Sequence, residues 1–481
     1  MPCLRPPMWE TAMKITSHAA IMLASALALE GCSLAPAYQV PTVKIPEHFK
    51  EAAPWIDARP ADNLPRGAWW AVYKDPQLAD LETRLDKNNP DIAAAFAHYA
   101  EAKAYDDEAR SGLFPTLLGI INPTRNRQSD TRPLRGSDQP NVYDADTAGV
   151  EADYELDLWG KVHNEVSATR SEAQAASNDL ASAKLSLEAR LADDYVSILG
   201  KDREIQLLVD TVGAYTKALT LTETLHDGGV VSGLDVSRAR SQLDTAVADV
   251  SESRAQRALL EHAIAALIGE PASSFSLPSD TTLPAIPDVP SGVPATLLQR
   301  RPDIAAAERL TAAANAKIGV ARAAFYPDID LSASIGFQST STGSWLMAPA
   351  TYWSIGPNLV QTIFDAGLHT AQLAQARAAL DEAGAHYRST VLTAFQQVED
   401  SLSLIQNYRA EYAAQSAAVA AAQKTLEISM TQYRDGGANY LEVVDSQTAA
   451  LIAERAKLDL ETRQLHASIG LIRAIGGGWS T

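Results

Sequence analysis

The side chains that could do chemistry are mostly carboxylates, and four of them stand in a row. Glu151, Asp153, Glu155 and Asp157 take every second position of one stretch, with Ala148, Val150, Ala152, Tyr154 and Leu156 between them. A period of two is that of a strand, so the acids share one face and the apolar residues the other. Such a row suits the wall of a water-filled passage, where it would hold a negative field. The 9 histidines are scattered, without His-Glu-x-x-His or other metal-ligand spacing. Neither a Gly-rich phosphate loop nor a Gly-x-Ser-x-Gly elbow is present, so neither an enzyme nor a metal site is expected.

Cys32 is the other reactive group. It follows Lys14 and the apolar run from Ala19 to Leu29, which is too short to span a bilayer comfortably. Leu29-Glu30-Gly31-Cys32 resembles a bacterial lipobox, although Glu30 departs from the usual small residue. Residues 1–31 are therefore expected to be a signal peptide, with translation starting at Met1 or Met13. Cys32 would be the acylated residue, carrying a covalent lipid (palmitate included) and no other cofactor. The second cysteine, Cys3, lies in the leader, so the mature body has no disulfide.

Proline distribution defines the elements that must position these groups. None occurs from Asn141 to Glu270 or from Asn358 to Thr481, whereas seven crowd into Pro271 to Pro302. Ala-rich, proline-free stretches predict long helices, from Gly160 to His226 and from Gly367 to Tyr433. Each ends at an Asp-Gly-Gly turn and is followed by a return helix, from about Leu234 to Ile268 and from Tyr440 to Ile475. Ser232-x-x-Asp235 and Asn439-x-x-Glu442 read as capping boxes for the return helices. Gly228, Gly229, Gly436 and Gly437 are expected to supply positive φ at the turns. Shorter helices are predicted from Asp91 to Gly112 and from Asp303 to Ala324.

The chain is duplicated. Asn89-Pro-Asp-Ile-Ala-Ala-Ala95 recurs as Arg301-Pro-Asp-Ile-Ala-Ala-Ala307, 212 positions on, and His226-Asp-Gly-Gly229 recurs as Arg434-Asp-Gly-Gly437, 208 positions on. Alternating segments predict strands at about 142–157, 326–338 and 351–363; a further strand, at about 114–122, is the poorest of the four, since Leu117, Leu118, Ile120 and Ile121 do not alternate. The tip from Asn122 to Asn141 is longer than that from Ser339 to Ala350, as on the outer face of a membrane barrel. Four strands cannot close a barrel, since about eight is the minimum, and an open edge in lipid leaves backbone groups unpaired. A membrane-spanning chain of this kind must therefore be an oligomer. The net charge of −19 excludes nucleic acid as a partner.

The lipobox, Cys32-Ser-Leu-Ala-Pro-Ala-Tyr38, Trp69-Trp70, the paired Pro-Asp-Ile motifs, Leu156-Asp-Leu-Trp-Gly160, Phe364-Asp-Ala-Gly367 and Gln432-Tyr-Arg-Asp-Gly436 arrive in an order that resembles the outer-membrane factor family. The resemblance is to its TolC-like branch of efflux lipoproteins of the OprM and NodT type. It implies a mainly α protein with membrane β, built from a duplicated helix–β-hairpin–long-helix unit. Three copies would form a 12-stranded β-barrel continuous with a periplasmic α-barrel. The implied organisation is a lipid-anchored extended segment (32–70), a first repeat (71–270), a Pro-rich equatorial connector (271–301), a second repeat (302–475) and a tail (476–481). The implied role is a passive exit duct for drugs or other small toxic compounds, lipid-anchored in the outer membrane and reaching into the periplasm. Its partners would be a periplasmic adaptor (membrane fusion protein) and an inner-membrane transporter of the resistance-nodulation-division type. Residue by residue, Asp235, Glu442 and Asp445 match acids of the periplasmic gate, and Tyr433 matches a tyrosine of its closing network. Asp235 and Glu442 also belong to the capping boxes, so Asp445 is the acid most free to face a lumen. The competing reading is a lipid-anchored coiled-coil scaffold without a pore, which would have no use for four strands.

Overall fold

The computed structural model describes residues 33–43, 49–50, 67–132, 140–287, 300–340, 343 and 345–477. The signal peptide and Cys32 lie outside them. Among the described residues the elements run α1 (Pro76–Asn88), α2 (Pro90–Ser111), β1 (Thr116–Arg127), β2 (Val142–Glu155), α3 (Lys161–Asp227), α4 (Gly233–Leu267), α5 (Pro302–Ala323), β3 (Asp328–Ser339), β4 (Thr351–Val360), α6 (Leu368–Arg434) and α7 (Tyr440–Ala474). The chain separates into two compact units. One comprises Met1–Pro41, Tyr99–Ala175 and Ala307–His386; the other comprises Thr42–His98, Ala176–Ala306 and Tyr387–Thr481.

The duplication is kept to the residue. The helices α2 and α5 have 22 residues each, α3 and α6 have 67, and α4 and α7 have 35. Lys161 and Leu368, which open the long helices, stand 207 positions apart, as do Gly233 and Tyr440. The 208-residue match of the Asp-Gly-Gly letters is thus out of register by one. The offset falls from 212 to 207 within the hairpins, because the second tip is five residues shorter.

The first unit holds a four-stranded antiparallel sheet in the order β1-β2-β3-β4. The segment after Ser33 packs in this unit along α5: Arg322 donates to the Leu34 carbonyl at 2.9 Å, Asn315 to that of Pro36 at 2.8 Å, and the Tyr38 hydroxyl to the Glu308 side chain at 2.9 Å.

The second unit holds the buried cores. The helix α1 was not legible among the prolines. Pro76 opens it, Asp75 caps it by accepting from the Gln77 and Leu78 N–H groups, and Leu78, Leu81 and Leu85 form its buried stripe. Together with Trp69, Trp70 and Tyr73 they pack on Leu191, Tyr195 and Ile198 of α3. A second core joins Phe49 to Val398, Leu402 and Ile405 of α6 and to Leu471 of α7. Each short helix is tied to the end of a return helix in the same way. Asn89 donates to the Leu267 carbonyl at 2.7 Å, and Arg301, its counterpart, donates to that of Ala474 at 2.8 Å.

Candidate conduit wall and helix-hairpin turns

The sheet register sorts its side chains by face. Leu117, Ala152, Ala333 and Ile355 lie in one row across the sheet, and Val150, Ile335 and Trp353 in the next on the same side. Leu117, Val150, Ile335, Trp353, Ile355 and Leu359 are all largely exposed. Glu151, Ser334 and Ser354 share the other face, as do Asp153 and Ser332, whose hydroxyl donates to the Asp153 carboxylate at 2.7 Å. One face is therefore a continuous exposed apolar surface and the other is polar and acidic, as the alternation predicts. Gly149 and Gly336 lie opposite one another on the polar face, and Tyr352 reaches over them; a Cβ on Gly336 would collide with the Ala148 carbonyl.

Five strand boundaries differ from expectation by two residues or more, β1 and β3 each starting two residues late. The first strand reaches Arg127 instead of ending near 122, because Asn122–Arg127 pairs with Val142–Thr147 although its residues are polar. Pro123 lies in β1, an outer strand of the sheet within one copy. The second strand stops at Glu155 and the fourth at Val360. Asp157 consequently leaves the acid row. It turns back to cap α3, accepting from the His163 backbone N–H at 2.8 Å, with the His163 Nδ1 at 2.7 Å. Burial alone would raise its pKa, but these bonds hold it below the ordinary carboxylate range.

The helix-hairpin turns lie in the second unit. Each long helix ends in a Schellman motif: Val230 N–H donates to the Leu225 carbonyl at 2.8 Å and Gly437 N–H to that of Gln432 at 2.7 Å. The left-handed residues are Gly229 (φ 75°) and Gly436 (φ 79°). Gly228 and Gly437, also expected at positive φ, are not there; each motif needs a single left-handed position.

The predicted gate residues separate into two groups. Tyr433 is buried, its hydroxyl donates to Thr222 Oγ1 at 3.2 Å, and its ring meets Tyr440 at 5.3 Å between centroids. Asp235 joins this group electrostatically. Burial, then Tyr433, Tyr215 and Asp235, push the Tyr440 hydroxyl up to about 12. Asp235 also fulfils its capping role, accepting from the Ser232 N–H at 3.3 Å, and it pairs with Arg238 at 3.6 Å. Asn439 caps α7 by accepting from the Glu442 N–H at 3.2 Å, while the Glu442 carboxylate takes the Asn439 amide at 3.1 Å. Asp445 is exposed, and no hydrogen bond or ion pair engages it among the described residues. Beside these turns a cleft of about 480 Å³ runs between α4 and α7, lined by Tyr215, Gln242, Thr245, Val444, Thr448 and Ile452.

Two polar clusters of the same unit escaped the sequence reading. Glu82 is fully buried with neither carboxylate oxygen hydrogen-bonded, and burial followed by Glu188 and Asp86 pushes it up to about 10. Glu188 accepts from Trp69 Nε1 at 2.9 Å, and burial raises it to about 7. Lys184 pairs with Asp86 at 2.9 Å and Glu188 at 3.8 Å. A leucine stripe interrupted by Glu82 was the available signal. In the second cluster, Asp193 lies 2.7 Å from His466 Nδ1, while His466 Nε2 lies 3.2 Å from Ser197 Oγ. The order mimics a charge relay. Ser197, however, sits inside α3, where the backbone N–H groups are committed to the helix and offer no oxyanion hole.

A duplicated helix–hairpin–helix chain with an exposed apolar strand face, an acidic opposite face and, among the described residues, no catalytic constellation has the architecture of a membrane conduit. The family described as "Outer membrane efflux protein" matches residues 83–270 and 293–477. Among curated relatives, the probable efflux pump outer membrane protein TtgC of Pseudomonas putida is 30% identical over 462 residues, covering 95% of this chain and 94% of its own. The cation efflux system protein CusC of Escherichia coli is 30% identical over 458 residues, covering 94% and 97%. Among solved structures, the outer-membrane channel OprN superposes with a TM-score of 0.87 at 29% identity, over 93% of this chain and 100% of its own. The chain belongs to the outer membrane efflux protein family. It is an outer-membrane efflux channel component extending into the periplasm, and its family is one of channels, not enzymes.

Proposed function

We propose that three copies close their sheets into one 12-stranded barrel, β1 of each copy pairing with β4 of the next, and form a passive exit duct. The carrying observation is the sheet itself: its outer strands β1 and β4 have no partner on their far sides among the described residues, and its apolar face is exposed. In lipid such edges leave backbone groups unpaired at several kcal/mol each, and association removes that cost. The helix α2 adds support, since it has no buried residue although it carries Phe96 and Tyr105. Cys32 would bear the lipid anchor. The duct would work with a periplasmic adaptor, for whose helices the cleft between α4 and α7 is a fitting groove, and with an inner-membrane transporter of the resistance-nodulation-division type. Its cargo would be drugs or other small toxic compounds.

The test is the mass of detergent-extracted protein together with conductance in planar bilayers. Conducting trimers are expected. A folded, non-conducting monomer would sink the duct, and loss of fatty-acid labelling in Cys32→Ala checks the anchor.

A further inference from the structure

The loop end of the first hairpin carries charge that the second lacks. Arg125, Arg127, Arg132 and Arg135 stand close together in a chain of net charge −19, whereas residues Asp328 to Val360 include no Lys, Arg or His. The counterparts of Arg125 and Arg127, 212 positions on, are Phe337 and Ser339. The duplicated architecture therefore does not require these arginines.

Their placement is specific. Arg125 lies opposite Asp144 and Arg127 opposite Val142, both in the alternating row of β1 that includes Leu117 and Ile121. Both side chains thus leave the sheet on its apolar face, beyond the hydrophobic residues. The Arg125 side chain is 77% exposed and its pairing with Asp144 is long, at 3.9 Å. Arg127 is exposed and has no ion pair among the described residues. Arg135 lies outside those residues.

Depth follows from strand geometry. From Phe114, exposed just ahead of β1, to Arg125 the chain advances about 37 Å at about 3.4 Å per residue. A tilt of about 40° reduces this to roughly 28 Å, against an apolar band about 25 Å tall in membrane barrels. Because the helices are periplasmic, the two guanidinium groups emerge in the outer headgroup layer. A neighbouring copy offers them no counter-charge, since residues Ser339 to Val360 contain no Asp or Glu. Guanidinium forks match phosphate oxygens bidentately.

We infer that Arg125 and Arg127 form a docking edge for the phosphate groups of a phosphorylated glycolipid in the outer leaflet. This inference rests on the sheet being a membrane wall. The test is native mass spectrometry of the detergent-purified full chain, titrated with bisphosphorylated lipid A, its phosphate-free analogue and phosphatidylglycerol. Wild type should retain lipid A at least tenfold more tightly than either comparison lipid. Arg125→Ala/Arg127→Ala should lose about that factor, and Arg125→Lys/Arg127→Lys should keep most of it. Raised ionic strength should weaken the retention. Equal retention by the alanine variant, or equal retention of the phosphate-free glycolipid, would overturn the proposal; phosphatidylglycerol bound as tightly as lipid A would do the same. Lipid adducts are counted on whichever protein mass appears, so the docking edge and the oligomer fail separately.

Discussion

Where the long helix of the first repeat places Glu188, that of the second places Phe395, 207 positions on. Each anchors part of the N-terminal segment in the second unit. Glu188 does so through the indole N–H of Trp69, and Phe395 through the ring of Phe49, 5.9 Å away between centroids. The same skeleton thus carries an electrostatic half and an apolar half. Helix lengths, caps and left-handed glycines define the skeleton; the residues that differ at equivalent positions determine what each half can sense or bind.

The largest effect expected from this contrast comes from Glu82, which shares the polar half with Glu188. Both carboxyls are raised above their ordinary values, to about 10 and about 7. A raised carboxyl contributes stability that is full below its unfolded value, near 4.5, and is lost as pH rises through the folded one. Each pH unit inside that window is worth about 1.4 kcal/mol per group. Urea unfolding followed by helical circular dichroism should show stability falling by roughly 5 kcal/mol between pH 5 and 7, about half of it from Glu82. Glu82→Gln, or Glu82→Leu should the amide pack poorly, should roughly halve that slope, the remainder coming from Glu188. Equal slopes in wild type and both variants would remove the contrast between the halves.

A smaller effect tests what the repeats share. Gly436→Val and Gly229→Val place a β-branched residue at positive φ and should each cost about 2 kcal/mol. No side-chain clash contributes, since neither glycine has a neighbour within 4 Å of its would-be Cβ. Gly437→Ala and Gly228→Ala should stay within about 0.5 kcal/mol. Efflux complementation and the yield of the proposed trimer distinguish the pairs, and equal tolerance at all four positions would reject the turn geometry.

That result bears on how much of the molecule was legible from residue order. Helix limits came within a residue or two, because Ser232, Asn439 and the turn glycines are end signals whose chemistry is local. The register of the duplicated turns was missed by one, because identical letters were aligned where hydrogen-bond geometry decides: Gly229, not Gly228, corresponds to Gly436. The polar continuation of β1 resembles a loop in sequence, since pairing with Val142–Thr147 leaves no hydrophobic trace. The meetings of Glu82 with Glu188 and of Asp193 with His466 were invisible for another reason. Helical periodicity gives the face of a residue but not the partner helix, and the second pair is 273 positions apart.

A further step down in size concerns Tyr433, whose counterpart in the first repeat is His226. Tyr433→Phe removes the bond to Thr222, but the Thr222 hydroxyl still donates to the Ala218 carbonyl at 2.9 Å. No donor is stranded, so the cost should be about 1 kcal/mol in urea unfolding. A loss above about 3 kcal/mol would mean that the tyrosine cluster does more than pack.

The smallest expected change in stability concerns the acids beside the turns, where the repeats differ in sign. Asp445 corresponds to Arg238, 207 positions earlier, and Glu442 to Asp235. In the first repeat the acid and the arginine pair with each other, and Asp235 closes a helix cap, so Asp235→Ala should cost about 1 kcal/mol. In the second repeat Asp445 is exposed and unengaged, so Asp445→Ala should leave stability within about 0.5 kcal/mol of wild type. Its effect should appear in permeation instead. Three copies of an unneutralised carboxylate would favour cations in a shared passage, whereas three Asp235–Arg238 pairs would contribute little net field. Reversal potentials in a salt gradient should therefore shift toward weaker cation preference for Asp445→Ala, more so with Glu442→Ala added, and hardly at all for Asp235→Ala. The opposite ranking would place the paired acid at the lumen and the free one outside it, reversing the roles of the two repeats at this end.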